Sequence, residues 1–160
     1  MSITDLIKNV AIISGEEQLK LRDAYCSSFA NTKSDGYKKN IATYHNYSDD
    51  YCYNGYIWEH LANPMLAEER SLMKIIQKLK KIYVLWDIHS CERILVEDYW
   101  KFEKETILLL DGDMLIKSLH LLPEDIYIFD DKYTWTMILT HEYIGDERYC
   151  LTSGEVFFLE

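Results

Sequence analysis

Residues 126–141 read Ile126-Tyr127-Ile128-Phe129-Asp130-Asp131-Lys132-Tyr133-Thr134-Trp135-Thr136-Met137-Ile138-Leu139-Thr140-His141, and their pattern decides the fold. Ile126 to Phe129 is a short run rich in β-branched and aromatic residues, and residues 134–141 alternate apolar with Thr. A polar turn, Asp130-Asp131-Lys132, separates them, which is the signature of paired strands. Alternation places Tyr133, Trp135, Met137, Leu139 and His141 on one face. Thr134, Thr136, Ile138, Thr140 and Glu142 fall on the other, so neighbours such as His141 and Glu142 point apart unless a bulge intervenes.

Working outward, Gly145-Asp146-Glu147 marks a second turn and Tyr149 to Leu151 a further strand, with a last edge strand expected at 156–159. On the N-terminal side, residues 82–89 and 93–97 read as a hairpin. Residues 106–110 suit either a strand or a buried helix, and 113–119 a short helix entered at Asp111-Gly112 and closed before Pro123. Earlier still the period becomes helical. Ser14 with Glu17 three residues on predicts a capped helix over 16–30, with Leu21, Ala24, Tyr25, Ser28 and Phe29 turned inward. A short helix is expected at 56–61 and a longer one over 65–81, whose Leu72, Ile75, Ile76 and Leu79 form its apolar stripe. Residues 31–53 carry no clear pattern. Helices first and strands second, with short connections, predict an α+β fold: N-terminal helices packed on a mainly antiparallel sheet formed by the second half. A chain of 160 residues with 48% hydrophobic residues is expected to form a single domain, 1–160, around one core.

Charge is unevenly divided. The 160 residues carry a formal net charge of −10, and all of the excess lies after Lys81, where 6 basic residues face 17 acidic ones. A field of that sign repels nucleic acid and anionic membranes and draws in basic partners. The opening residues show no basic, apolar signal pattern and no stretch is long enough to span a membrane, so a cytoplasmic protein is expected. Cys26, Cys52, Cys91 and Cys150 are too widely spaced for a zinc pair or a dense disulfide framework, which predicts reduced thiols.

No set of residues reads as a catalytic centre. His141-Glu142 lacks the second histidine of the helical zinc-protease motif. A zinc site from His141, His89 and Cys91 would need those strands to be neighbours. Cys91 or Cys150 with His89 or His141 offers a nucleophile pair without a third member. Asp111-Gly112-Asp113 lacks the rest of a calcium loop. The expectation is therefore a non-enzymatic binding protein with no cofactor and no metal. The thirteen Tyr and four Trp suit an interface as well as a core. The candidate partner-binding residues are the turn carboxylates Asp130, Asp131, Asp146 and Glu147, with Tyr133 and Tyr149 beside them, on the expectation that neighbouring hairpin turns present charge together on one rim.

The segments Leu122-Pro123-Glu124-Asp125-Ile126-Tyr127-Ile128-Phe129-Asp130, Tyr133-Thr134-Trp135-Thr136 and Thr140-His141-Glu142 together resemble immunity proteins of bacterial polymorphic-toxin and contact-dependent inhibition systems, and a related small bacterial domain family of unknown function. Gly55-Tyr56-Ile57-Trp58-Glu59-His60 is similar to an aromatic helix of that group. The resemblance implies a protein retained in the cell that makes a toxin, where it binds and blocks the cognate toxin C-terminal domain, often a basic nuclease. It carries over no catalytic residue.

Overall fold

A computed structural model describes residues 2–42, 45–47, 50–88 and 102–156. The expected strand at 93–97, and His89 and Cys91 of the conjectured zinc set, lie outside the described residues, as does the expected edge strand at 156–159 beyond Val156.

In chain order the elements are α1 (Ile3–Asn9), β1 (Ala11–Ile13), α2 (Gly15–Phe29), a single turn α3 (Asp35–Tyr37) running into a π-helical turn (Lys38–Ala42), β2 (His45–Tyr47) and β3 (Asp50–Cys52). A 3-10 turn (Ile57–His60), β4 (Met65–Ala67), α4 (Glu69–Ile76), β5 (Ile82–Trp86), β6 (Ile107–Leu110) and α5 (Gly112–Ser118) follow. A second 3-10 turn (Leu119–Leu121) leads to β7 (Ile126–Phe129), β8 (Trp135–Ile144) and β9 (Glu147–Gly154). Seven strands form one sheet in the order β1-β6-β5-β7-β8-β9-β4, antiparallel at every pairing. The α+β class holds, and residues 106–110 resolve as strand.

All four residues of β7 are buried because helices cover both faces of the sheet. Val84, Trp86, Leu108, Ile128, Met137 and Leu139 face Leu6 of α1, Leu72 and Ile76 of α4 and Leu115 of α5. Leu85, Ile107, Tyr127, Phe129 and Ile138 face Tyr25 and Phe29 of α2, with Ile41, Tyr53 and Ile57. The alternation read along β8 is therefore correct from Trp135 through Leu139, with Trp135 core at 3% exposure, but Tyr133, expected on the Trp135 face, packs with the opposite core on Phe129 because the turn backbone reverses there.

Several expectations are corrected. The helix predicted over 65–81 spans only Glu69–Ile76, because Met65 to Ala67 pair with Thr152 to Cys150 of β9; a ladder to a neighbouring strand outweighs local helical preference. Ser14 makes no side-chain cap, and α2 buries Gln18, Arg22, Tyr25, Cys26 and Phe29, so its inward stripe is rotated away from Leu21 and Ser28. Arg22 is admitted to the core because its Nη1 donates to the Trp86 carbonyl at 2.8 Å. Helix α1, unforeseen, opens with a reciprocal box in which Asp5 N–H reaches Ser2 Oγ and Ser2 N–H reaches Asp5 Oδ2.

Candidate functional site

The two ends of the sheet differ. Because β7, β8 and β9 form a meander, the turn holding Asp130, Asp131 and Tyr133 lies at the start of β8, and the turn holding Asp146 lies at its finish. Ten residues of strand at ~3.3 Å each separate them by roughly 30 Å. The six candidate residues therefore do not share one rim: successive hairpins turn at alternate ends, which corrects the expectation. Asp130 is also engaged internally, accepting the Trp135 indole N–H at 2.9 Å and the Lys132 N–H at 3.0 Å. Tyr133, at φ 54, stacks on Phe129 with ring centroids 5.7 Å apart. Asp146, Glu147 and Tyr149 belong to the other end, and there the structure assembles a cluster that the sequence did not announce.

The cluster depends on a break in the ladder. Leu139 pairs with Cys150 and Tyr143 with Arg148, so Thr140, His141 and Glu142 stand opposite Tyr149 alone. Such a bulge re-aims side chains. Alternation alone would send His141 to the Leu139 face; instead its ring meets Tyr56 at 5.0 Å and Trp58 at 6.3 Å, beside the opposite core. The strand shoulders on to Thr140 Oγ1, which donates to the Tyr149 carbonyl at 2.6 Å.

Asp125, immediately before β7, holds the centre. Its carboxylate accepts the Trp58 indole N–H at 3.0 Å, the His141 backbone N–H at 3.1 Å and His141 Nδ1 at 2.9 Å. A carboxylate has no hydrogen to give, so Nδ1 donates to it, and in the neutral imidazole Nε2 is then left as an acceptor. Among the described residues nothing engages that Nε2, and 36% of the side chain is exposed.

Beneath lies a second buried carboxylate. Asp87, just past β5, is 2% exposed and accepts the Ile57 N–H at 2.8 Å and the Tyr127 hydroxyl at 2.7 Å. The Tyr127 oxygen in turn accepts the Trp58 N–H at 3.0 Å. Burial raises the Asp87 carboxyl to about 7, against the lowering effect of those two hydrogen bonds. The segment Tyr56-Ile57-Trp58 is thus fastened to the sheet at three points. Pairwise, Tyr56 stacks on Trp58 at 5.5 Å and Tyr149 meets Trp58 edge-on at 5.8 Å. Burial first, and then the carboxylates of Asp125, Asp87, Glu59 and Glu142, push the Tyr56 phenol up, which places Glu59 and Glu142 within electrostatic reach of that ring.

Exposed side chains continue the surface along the hairpin: Tyr143 at 60% and Ile144 at 65% exposure, with Glu142, Asp146 and Glu147 exposed beside them. These three carboxylates have no hydrogen-bond or ion-pair partner among the described residues. Arg148, whose guanidinium donates to the Thr140 and Glu124 carbonyls and approaches Glu69 at 4.0 Å, forms no ion pair with them. On the α4 side of the hairpin an open cleft of ≈ 610 Å³ brings Asp146 and Glu147 together with Glu68, Glu69, Arg70, Lys74 and Arg148 itself.

Chemically, an imidazole oriented by a carboxylate is one part of a general-base site, but no hydroxyl or thiol is placed against Nε2 among the described residues. No group of three His, Cys, Asp or Glu among them could hold a metal ion. The thiols of Cys26 and Cys150 are pushed up to about 11 by burial, far from reactive thiolates. No described helix is long and apolar enough to cross a membrane. Comparison with protein-family models, with curated proteins and with solved structures returns no match.

The sequence offered Trp58, Asp125, Tyr127 and His141 only as members of separate segments. All four meet here. The signal that would have joined them is the bulge, and neither periodicity nor turn composition reveals one in Thr140-His141-Glu142.

Proposed function

We propose that the chain is an immunity protein, which binds and neutralises a cognate bacterial toxin domain in the cytoplasm of the producing cell and acts by occupancy, without turnover. The observation that carries this reading is the surface at one end of the sheet. Partly exposed Tyr56, Trp58 and Tyr149 stand together with His141, and the hairpin continues from there with exposed Glu142, Tyr143, Asp146 and Glu147, the last two lining the cleft on the α4 side. Aromatic anchors ringed by polar groups mark the energetic centres of protein interfaces. Here Trp58 is held in advance of any encounter by its backbone and indole N–H bonds to Tyr127 and Asp125, which lowers the ordering cost of association.

The net charge points to a basic partner. An acidic surface steers such a partner at rates reaching roughly 10⁸ M⁻¹s⁻¹ or more at low salt, and a basic nuclease-type toxin domain has the matching sign. The same charge disfavours nucleic acid and anionic membranes as direct ligands. Of the segments that resemble the immunity group, 55–60, 122–130 and 140–142 supply Trp58 and His141 of this surface and the Asp125 and buried Tyr127 that hold them, whereas 133–136 lies at the far end of β8. Binding therefore centres here, and Asp130, Asp131 and Tyr133, at the far end of β8, make no contact with the toxin.

The test is co-expression with the variable C-terminal domain of a large secreted protein encoded beside this gene. Rescue of growth together with copurification supports the reading. Loss of both removes it.

A further inference from the structure

We infer that the Tyr56–Trp58–Tyr149–His141 cluster is an arginine-side-chain receptor, the point at which this protein takes hold of a basic partner. Four features of the site converge on a guanidinium. Tyr56, Trp58 and His141 are in mutual ring contact and Tyr149 meets Trp58 edge-on, and aromatic faces attract cations, arginine above all because it also stacks. In the neutral imidazole the Asp125 contact fixes the Nδ1–H tautomer, so the partly exposed Nε2 presents a lone pair, suited to a ligand that only donates; a guanidinium has five N–H groups and no acceptor. Carboxylates at the rim complete the match. Glu142 follows His141 directly and lies within electrostatic reach of Tyr56, as does Glu59. Arg148, among the described residues, is engaged by the Thr140 and Glu124 carbonyls and forms no ion pair with Glu142, which is left for an incoming cation.

The alternatives fit less well. A carboxylate or phosphate would meet an acceptor nitrogen and a ring of like charge, and a neutral aromatic group would leave the Nε2 lone pair and the Glu142 carboxylate without partners. The base of the site is also rigid. Trp58 is fixed through its backbone N–H and its indole N–H, and Asp87 and Asp125 behind it take up every donor that faces them. Such a receptor needs no rearrangement to bind.

This inference rests on the binding reading above only for the source of the arginine, a protein partner. It is tested without that partner. The full-length ¹⁵N-labelled chain is titrated at low salt with Nα-acetyl-arginine N-methylamide, and in parallel with the isosteric but uncharged citrulline amide. The expected result is a saturable shift of the Trp58 indole N–H and of the His141 and Tyr149 amides, with citrulline weaker by about fivefold or more. Glu142→Gln is expected to weaken arginine by about two- to fivefold while leaving the thermal midpoint in place, and Tyr149→Leu to weaken it similarly with a lowered midpoint, because Tyr149 also packs on the core. Equal shifts from both probes, shifts confined to other residues, or no saturable shift would each overturn the assignment. A chain that protects cells from its toxin yet ignores the arginine probe loses the receptor and keeps the immunity reading; a chain that binds the probe yet neither protects nor copurifies does the reverse.

Discussion

The Tyr127 hydroxyl donates to Oδ2 of Asp87 at 2.7 Å, so a carboxylate with 2% exposure faces a phenol and a backbone amide, with Arg22 acting on it only through space. Arg22 spends its closest hydrogen bond on the Trp86 carbonyl. The charged form of Asp87 is therefore poorly compensated, and desolvation dominates its titration.

A pH dependence of stability follows. The folded carboxyl titrates at about 7 and the unfolded one near 3.8, so between those values the native state holds a proton that the unfolded state has lost. Stability from this group is complete below about pH 4 and is lost as pH rises through 7. Each pH unit between the two values is worth about 1.4 kcal/mol, with the whole effect a few kcal/mol at most. Urea melts of the wild type from pH 4.5 to 8 should show this decline, and Asp87→Asn should remove most of it. An identical slope in both proteins would assign the decline to another group.

Trp135 and Asp130 form a second pair whose separation is measurable. Trp135→Ala removes a buried indole and should cost about 3–5 kcal/mol. Asp130→Lys breaks the bonds to Trp135 Nε1 and Lys132 N–H and should cost about 1–3 kcal/mol. Asp131 is exposed, and Asp131→Lys should stay within roughly 0.5 kcal/mol. Denaturant melts of the three variants check the order. Since this turn lies at the far end of β8 from the proposed receptor, Asp131→Lys should also leave toxin affinity nearly unchanged.

What was legible in the sequence and what was not divides along physical lines. The strands of the second half could be read because Thr alternates with apolar residues in β8 and Asp130-Asp131-Lys132 and Gly145-Asp146 punctuate it. Asp111-Gly112 was readable as the entry to a short helix, and the Asp111 side chain caps α5 by accepting the Met114 N–H at 2.7 Å. The ends of the sheet were hidden. Three-residue strands such as β1 and β4 have too few positions to show a period, and β4 reads as the first turn of a helix until β9 pairs with it. Arg22 reads as solvent-facing because only a tertiary carbonyl gives its guanidinium a buried partner. The site was invisible for the same reason: Trp58, Asp87, Asp125 and His141 are brought together by strand order and by one bulge, both properties of the assembled sheet.

The contact of α4 with α5 leaves no room for a side chain at Gly112. A Cβ there would lie 1.6 Å from the Ile76 carbonyl oxygen, and the Gly112 N–H donates to the Leu79 carbonyl at 2.8 Å. Gly112→Ala must therefore drive the two helices apart and should cost about 3 kcal/mol or more. Gly145→Ala serves as the comparison. Its φ is 67 with nothing within 4 Å, so only the left-handed backbone resists the change, at about 1–2 kcal/mol. Thermal midpoints of the two variants should differ in that order.

Asp125→Asn separates the geometry of the receptor from its chemistry. The amide oxygen can keep the Trp58 indole and the His141 backbone N–H, which lie at 3.0 and 3.1 Å from Oδ1. The amide nitrogen then occupies the place of Oδ2, 2.9 Å from His141 Nδ1, while the amide oxygen at Oδ1 stays 3.0 Å from the same nitrogen. The neutral ring therefore has two arrangements, Nδ1–H donating to the amide oxygen or Nδ1 accepting the amide N–H with the proton on Nε2, and in the second it offers the partner an N–H instead of a lone pair. With the fold's other contacts intact, the stability loss should be on the order of 1 kcal/mol, while arginine-probe affinity should fall in step with the fraction of Nε2–H tautomer. Asp125→Ala, which strands the Trp58 and His141 donors, should cost about 1–3 kcal/mol for each donor left unpaired. Imidazole ¹⁵N spectra in alkaline buffer report the tautomer directly. An Asp125→Asn protein that binds arginine as tightly as the wild type, with its proton moved to Nε2, would show that the lone pair of His141 has no part in recognition.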